Sequence, residues 1–184
     1  TIVALLAMLI ARENGYQTAL MAPTEILAEQ HYYNFKNLLE PFAIEPLLLK
    51  GSQKGTVKKS VLNTLEKDAG AIVVGTHALI QKGVSFKNLG LVVIDEQHRF
   101  GVLQRASLID KGVVPDILVM TATPIPRSLS FTVFGDLDHS RIDEMPPGRQ
   151  PVVTAWRQEA RLPKIYDFLQ ERITAGEQAY IVLP

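Results

Sequence analysis

The sequence predicts an α/β fold built on a doubly wound parallel sheet, and three observations carry that prediction. Short β-rich runs such as Ile72-Val73-Val74 and Leu91-Val92-Val93-Ile94 are apolar at every position rather than at alternate ones. Strands covered by helices on both faces read this way, because neither face meets water. Between such runs lie segments whose apolar residues recur at three- and four-residue spacing, the helical period. Strand and helix patterns also alternate almost throughout, as they do when crossover helices join parallel strands.

The elements follow in order. Ile2 to about Glu13 is apolar on nearly every face, which predicts a helix held between the sheet and a further layer. Thr18–Ala22 is the first strand, followed by a helix marked by Ile26, Leu27, Gln30, Tyr33 and Leu38. Glu45–Lys50 is the next strand, and Val61, Leu62 and Leu65 mark the helix after it. Ala71–Gly75, Leu91–Asp95 and Ile117–Thr121 complete the strands of this part. The run Met145-Pro146-Pro147-Gly148-Arg149-Gln150-Pro151 then interrupts the alternation with three prolines and a glycine. Beyond it come a strand at Val152–Trp156, an amphipathic helix carrying Leu162, Ile165, Tyr166, Leu169 and Ile173, and a strand at Ala179–Leu183. This remainder is too short to enclose its own core. The chain therefore divides into a domain over 1–145, a linker over 146–151 and the opening of a second domain over 152–184. Trp156 and Tyr180, on the two late strands, read as core residues.

Composition narrows the class. The 184 residues are 47% hydrophobic and 21% charged, too apolar for a disordered chain, and 12 Gly and 11 Pro are too few for a fibrous one. With no Cys there is no disulfide framework. Nineteen basic and nineteen acidic side chains cancel, which argues against a polycation but leaves room for a local nucleic-acid-binding patch. The apolar run Ile2–Ala11 falls short of the roughly 20 residues that span a bilayer, and it lacks the flanks of a signal peptide. The expectation is a cytoplasmic protein that does not engage membranes.

Four strands end in polar clusters: Met21-Ala22-Pro23-Thr24-Glu25, Gly75-Thr76-His77, Asp95-Glu96-Gln97-His98 and Thr121-Ala122-Thr123-Pro124. In a parallel sheet the carboxyl ends share one edge, which is where open α/β folds bind ligands. A carboxylate leaving a buried apolar strand, as Asp95 does, is the type of group that holds Mg²⁺ at the phosphates of a bound nucleotide. The carboxylate beside it, Glu96, can orient or deprotonate an attacking water. The competing reading is a polar turn with Asp95 as a helix N-cap; Gln97 and His98 directly afterwards weaken it. Pro23, Thr24 and Glu25 precede a helix whose N-terminus can face a DNA phosphate, although Thr24 would serve equally as a simple cap. Lys50, Gly51, Lys54, Lys58 and Lys59 form a modest basic patch; Lys50 and Gly51 suit backbone phosphate, whereas Lys58 and Lys59 suit a solvated helix face. His77 has no suitably spaced partner that would make it a metal ligand.

Asp95-Glu96-Gln97-His98 together with Thr121-Ala122-Thr123-Pro124 resembles motifs II and III of superfamily 2 helicases. The longer run from Asp95 to Arg105, with Ala22-Pro23-Thr24-Glu25-Ile26-Leu27-Ala28-Glu29-Gln30-His31 as motif Ia and Gly75-Thr76-His77-Ala78-Leu79 as motif Ib, is similar to the RecG-type helicases. Met120–Leu129, Gly135–Asp138 and Ile142–Arg149 continue the likeness. Transcription-repair coupling translocases share parts of these runs, but Gln97 and the Pro146-Pro147-Gly148-Arg149 linker favour the RecG type. A module that binds DNA without catalysis is the rival from another class.

The resemblance implies RecA-like domains and an ATP- and Mg²⁺-dependent DNA helicase that remodels branched double-stranded DNA such as stalled forks and Holliday junctions in repair and recombination. It implies a bacterial, nucleoid-associated location, with single-stranded DNA-binding protein as a further partner. Glu96 and Asp95 are then catalytic, and Asp95 and Thr1 bind ATP and metal. Gln97, His98, Thr121, Thr123 and Arg127 couple nucleotide state to movement. Pro23, Thr24, Glu25, Lys50, Gly51, Thr76 and His77 contact DNA. Arg99, Gln104 and Arg105 would bridge to the neighbouring domain. Thr1 aligns with the last residue of the family's phosphate-binding loop, so the remainder of that loop is expected upstream and motifs V and VI downstream. The 184 residues alone are expected to show no measurable ATP hydrolysis.

Overall fold

The computed structural model describes residues 1–96, 115–122, 138–144 and 148–182. It divides into two compact units, Thr1–Gly135 and Asp136–Pro184. The first contains helix α1 (Ile2–Glu13), strand β1 (Gln17–Met21), helix α2 (Glu25–Leu39), strand β2 (Leu47–Leu49), helix α3 (Gly55–Lys67) and strands β3 (Ile72–Gly75), β4 (Leu89–Asp95) and β5 (Asp116–Met120). The five strands form one sheet in the order β2-β3-β1-β4-β5, and every pairing is parallel. The α/β, doubly wound fold read from the sequence is the fold observed.

Residue alternation divides the core between the two sheet faces. Ala19, Met21, Val73, Val92 and Ile94 join Val61 and Leu65 of α3 in one cluster. Leu20, Ile72, Val74, Leu91 and Val93 join Ala4, Leu5 and Met8 of α1 and Phe35 and Leu39 of α2 in the other. Helices thus cover both faces, which is why the central strands carry apolar residues at consecutive positions. All five residues of β1 are buried, including Gln17. Its amide donates to the Leu65 and Asp68 carbonyls at 2.6 and 2.7 Å, and its oxygen accepts the Asn88 N–H at 2.9 Å. Both polar ends are therefore satisfied, which makes burial of this side chain tolerable, and the end of α3 is tied to two neighbouring strands.

Three expectations need correction. Helix α1 has the predicted bounds but is not enclosed. It buries Ala4, Leu5 and Met8 and leaves Ile2, Val3, Leu6 and Ile10 more than half exposed. It lies on one sheet face, and a helix packed on one side hides only one stripe whatever its composition. In α2, of the residues whose spacing marked the helix, Ile26, Tyr33 and Leu38 are exposed and Leu27 is only partly buried, whereas the buried face is Ala28, His31, Phe35 and Leu39.

The third correction concerns the second unit. It contains helix α4 (Leu162–Thr174), but among its described residues no strand forms at 152–156 or 179–182. A strand is stable only where a neighbour takes its backbone hydrogen bonds, and neither segment has one there. Trp156 and Tyr180, expected in a core, are 79% and 88% exposed.

Candidate functional site

The strand registers align the carboxyl ends along one edge. Met21 stands beside Gly75 and Ile94, Leu49 beside Gly75, and Asp95 beside Met120. The residues that follow β1, β3, β4 and β5 therefore leave the sheet on the same side, bringing Pro23–Glu25, Thr76–His77, Asp95–Glu96 and Thr121 to a common edge. Gln97, His98, Thr123 and Arg127, and likewise Arg99, Gln104 and Arg105, lie outside the described residues.

Asp95 closes β4, and only 18% of its side chain is exposed. Its Oδ2 lies 2.7 Å from Nε2 of His31 on α2, and its Oδ1 accepts the Glu96 N–H at 3.1 Å. The hydrogen bond from His31 is the largest influence holding the Asp95 carboxyl below its ordinary pKa. Partial burial opposes it, while the electrostatic influence of His31 and the Glu96 N–H act in the same direction as the bond. Thr1 is exposed at the N-cap of α1, and its hydroxyl makes no capping bond.

Glu96 has φ +50°, the left-handed region that a residue with a Cβ enters at a cost of about 1–3 kcal/mol. The donor chemistry suits magnesium. Asp95 offers a hard anionic oxygen at the carboxyl edge of the sheet. Magnesium in phosphate-handling sites takes one or two carboxylates and completes its shell from phosphates and water.

A second cluster surrounds the start of α2. Thr24 is extended (φ −133°, ψ 157°), and its hydroxyl caps the helix by accepting the Leu27 N–H at 3.3 Å. The Glu25 carboxylate accepts the Ser52 N–H at 3.0 Å and also the Ser52 hydroxyl. One turn on, Glu29 forms an ion pair with Lys50. The 50–53 loop is pinned by Lys50 N–H donating to Gln53 Oε1 (3.1 Å) and by the Gln53 amide donating to the Leu48 carbonyl (2.8 Å). The Lys50 ammonium, expected to face phosphate, is thus engaged by Glu29, and exposed Gly51 lies within the same loop.

At the end of β3, Thr76 is buried, with its N–H on the Leu49 carbonyl at 3.2 Å. Exposed His77 opens the short 3₁₀ turn His77–Ile80. Thr121, directly after β5, is exposed. Sequence reasoning gave no role to His31, Glu29 or Ser52. The sequence signal for His31 was its place on the Ala28–His31–Phe35 face of α2, obscured by the larger apolar residues on the opposite face.

Comparison with known proteins bears on this edge. The DEAD/DEAH box helicase family model matches residues 1–131. All 184 residues align with the curated ATP-dependent DNA helicase RecG of Streptococcus pneumoniae at 52% identity, covering 27% of that protein. They align with RecG of Bacillus subtilis at 51%, again over 27% of its length, and with RecG of Aquifex aeolicus at 48% over 24%. The chain thus spans about a quarter of the length of the relatives it matches. A solved structure of RecG bound to a three-way DNA junction superposes over the whole chain and 25% of its own, with TM-score 0.81 and 47% identity. The helicase Lhr of Mycobacterium smegmatis superposes over 76% of this chain and 20% of its own at TM-score 0.53 and 18% identity, a likeness of fold alone. With the matched family model running from Thr1 through the Asp95–Glu96 pair and beyond, this chain belongs to the DEAD/DEAH box helicase family, and its likeness within that family is to RecG.

Proposed function

We propose that the chain is the motor portion of an ATP-dependent DNA helicase that remodels branched double-stranded DNA. The carrying observation is the carboxylate pair Asp95–Glu96 at the carboxyl edge of the parallel sheet, with the capped N-terminus of α2 on the same edge. The half-identity to RecG along all 184 residues supports branched DNA as substrate. Residues 1–145 are read as the first RecA-like domain, 146–151 as the linker and 152–184 as the start of the second.

In this reading Asp95 and the Thr1 hydroxyl hold the magnesium that accompanies ATP, and that ion supplies charge neutralisation at the phosphates. Glu96 accepts a proton from the attacking water. Its strained backbone sets the direction of the carboxylate relative to Asp95. Pro23, Thr24 and Glu25 present the α2 N-terminus to a DNA phosphate, with Thr76 and His77 alongside. For Lys50 to contact DNA it must leave Glu29. Gln97, His98, Thr121, Thr123 and Arg127 are assigned to coupling. The protein works in the bacterial cytoplasm at the nucleoid, and single-stranded DNA-binding protein is a further partner.

The test uses a full-length protein carrying this chain, with forks, three-way junctions and linear duplexes compared as substrates in strand-separation and ATPase assays. Branched DNA is expected to be separated and to stimulate hydrolysis more than linear duplex of equal length. Hydrolysis indifferent to DNA, or no strand separation on any branched substrate, contradicts the reading.

A further inference from the structure

His31 lies in the middle of α2, on the face formed by Ala28, Phe35 and Leu39, and is 7% exposed. Nothing in its helix register calls for a polar side chain there, and a buried imidazole is tolerated only where it is bonded. One bond is made, from Nε2 to Asp95 Oδ2 at 2.7 Å across 64 residues of sequence. The other nitrogen, Nδ1, is buried and has no hydrogen-bond partner among the described residues. An ionised carboxylate can only accept, so Nε2 carries the proton that is donated to Asp95 Oδ2. Phe35, one turn further along α2, is the neighbouring aromatic ring, tilted at 52° with its centroid 6.2 Å away.

Asp95 is therefore gripped at both oxygens, by His31 at Oδ2 and by the Glu96 N–H at Oδ1. Each oxygen keeps further acceptor capacity, and rotation of the carboxylate is restricted. We propose that His31 is a positioning residue: it orients the Asp95 carboxylate toward nucleotide-bound magnesium and joins that carboxylate to the helix whose N-terminus faces DNA. This rests on the nucleotide-site reading above and deepens it. α2 begins at the Thr24 cap and reaches Asp95 through His31 about two turns later, so one rigid element touches both ends of the site. A shift of α2 on DNA engagement moves the donor that holds the metal carboxylate.

The test uses a full-length protein carrying this chain, with Mn²⁺ as a spectroscopic stand-in for magnesium and ADP as nucleotide. Bound and free Mn²⁺ are separated by electron paramagnetic resonance, so the readout does not depend on turnover. His31→Leu and His31→Met remove the donor at similar volume, whereas His31→Gln retains an N–H. The two donor-free variants are expected to weaken Mn²⁺ binding about 10–100-fold, with His31→Gln restoring most of it, as for other residues that orient a metal ligand. Thermal unfolding of the nucleotide-free protein is expected to come earlier in the two donor-free variants, which lose the bond favouring ionised Asp95, with all three still folded at the assay temperature. Wild-type Mn²⁺ affinity in a folded donor-free variant overturns the proposal, and so does an equal loss in all three. Failure of both donor-free variants to fold also overturns it, since the role is then structural. If the unmutated protein binds no Mn²⁺·ADP, the nucleotide-site reading itself falls, and this proposal with it.

Discussion

Gly75 shows how closely backbone is packed at the edge where the site lies. A Cβ built there would sit 2.4 Å from the Leu49 carbonyl oxygen and 2.9 Å from Cγ of Leu79. The first of these is main chain of a paired strand and cannot swing away. Gly75→Ala is expected to lower stability by about 1–3 kcal/mol, the usual range for overpacking a tight site, read as a shift in the urea unfolding midpoint. A change under about 0.5 kcal/mol, the ordinary level for surface substitutions, contradicts the packing described. The glycine was visible in the sequence as part of Gly75-Thr76-His77, but its reason was not. The Leu49 carbonyl comes from a strand more than twenty residues earlier, and only the β2–β3 register brings the two together. His31 was hidden in the same way, because its partner Asp95 is 64 residues distant.

Helix α2 is the element on which the site depends, and it is also where sequence pattern misled. Its large apolar residues Ile26, Tyr33 and Leu38 point outward, while Ala28, His31, Phe35 and Leu39 pack on the sheet. Close approach of the helix to the strands favours a small residue near its start and a bonded imidazole further along, and neither weighs heavily in a hydrophobic pattern. The cap at Thr24 and the boundaries of α1, by contrast, were legible locally. The outer side of α2 is tied to the 50–53 loop through Glu25 and Ser52. The Ser52 hydroxyl and then its N–H are the largest influences lowering the Glu25 carboxyl from its ordinary 4.5; desolvation opposes them, and Lys50 adds a smaller lowering. A carboxyl whose folded pKa is depressed contributes its stabilisation above its unfolded value and loses it as pH falls through the folded value. The Ser52 amide resonance, followed by selective ¹⁵N-serine labelling, is therefore expected to titrate with a midpoint below 4.5. A midpoint at or above that value contradicts the tie.

At the scale of the whole molecule, the parallel sheet was readable because strands buried on both faces write themselves as continuous apolar runs. What could not be read was which elements find partners. The segments 152–156 and 179–182 have strand-like composition, yet among the described residues they pair with nothing and remain exposed. The outer face of α1 carries Ile2, Val3, Leu6 and Ile10 into solvent for the related reason that composition does not say what covers a helix. The fold nevertheless gathers one set of chemical groups on a single edge, and the central claim is that this edge binds and hydrolyses a nucleoside triphosphate through Asp95 and Glu96. The most direct measurement compares nucleotide affinity with turnover in a full-length protein carrying Glu96→Gln. Removing a positioned base while leaving the metal carboxylate intact is expected to leave ATP affinity nearly unchanged and to slow hydrolysis by about 10²–10⁴-fold. Hydrolysis at the unmutated rate, with affinity unchanged, would contradict the account.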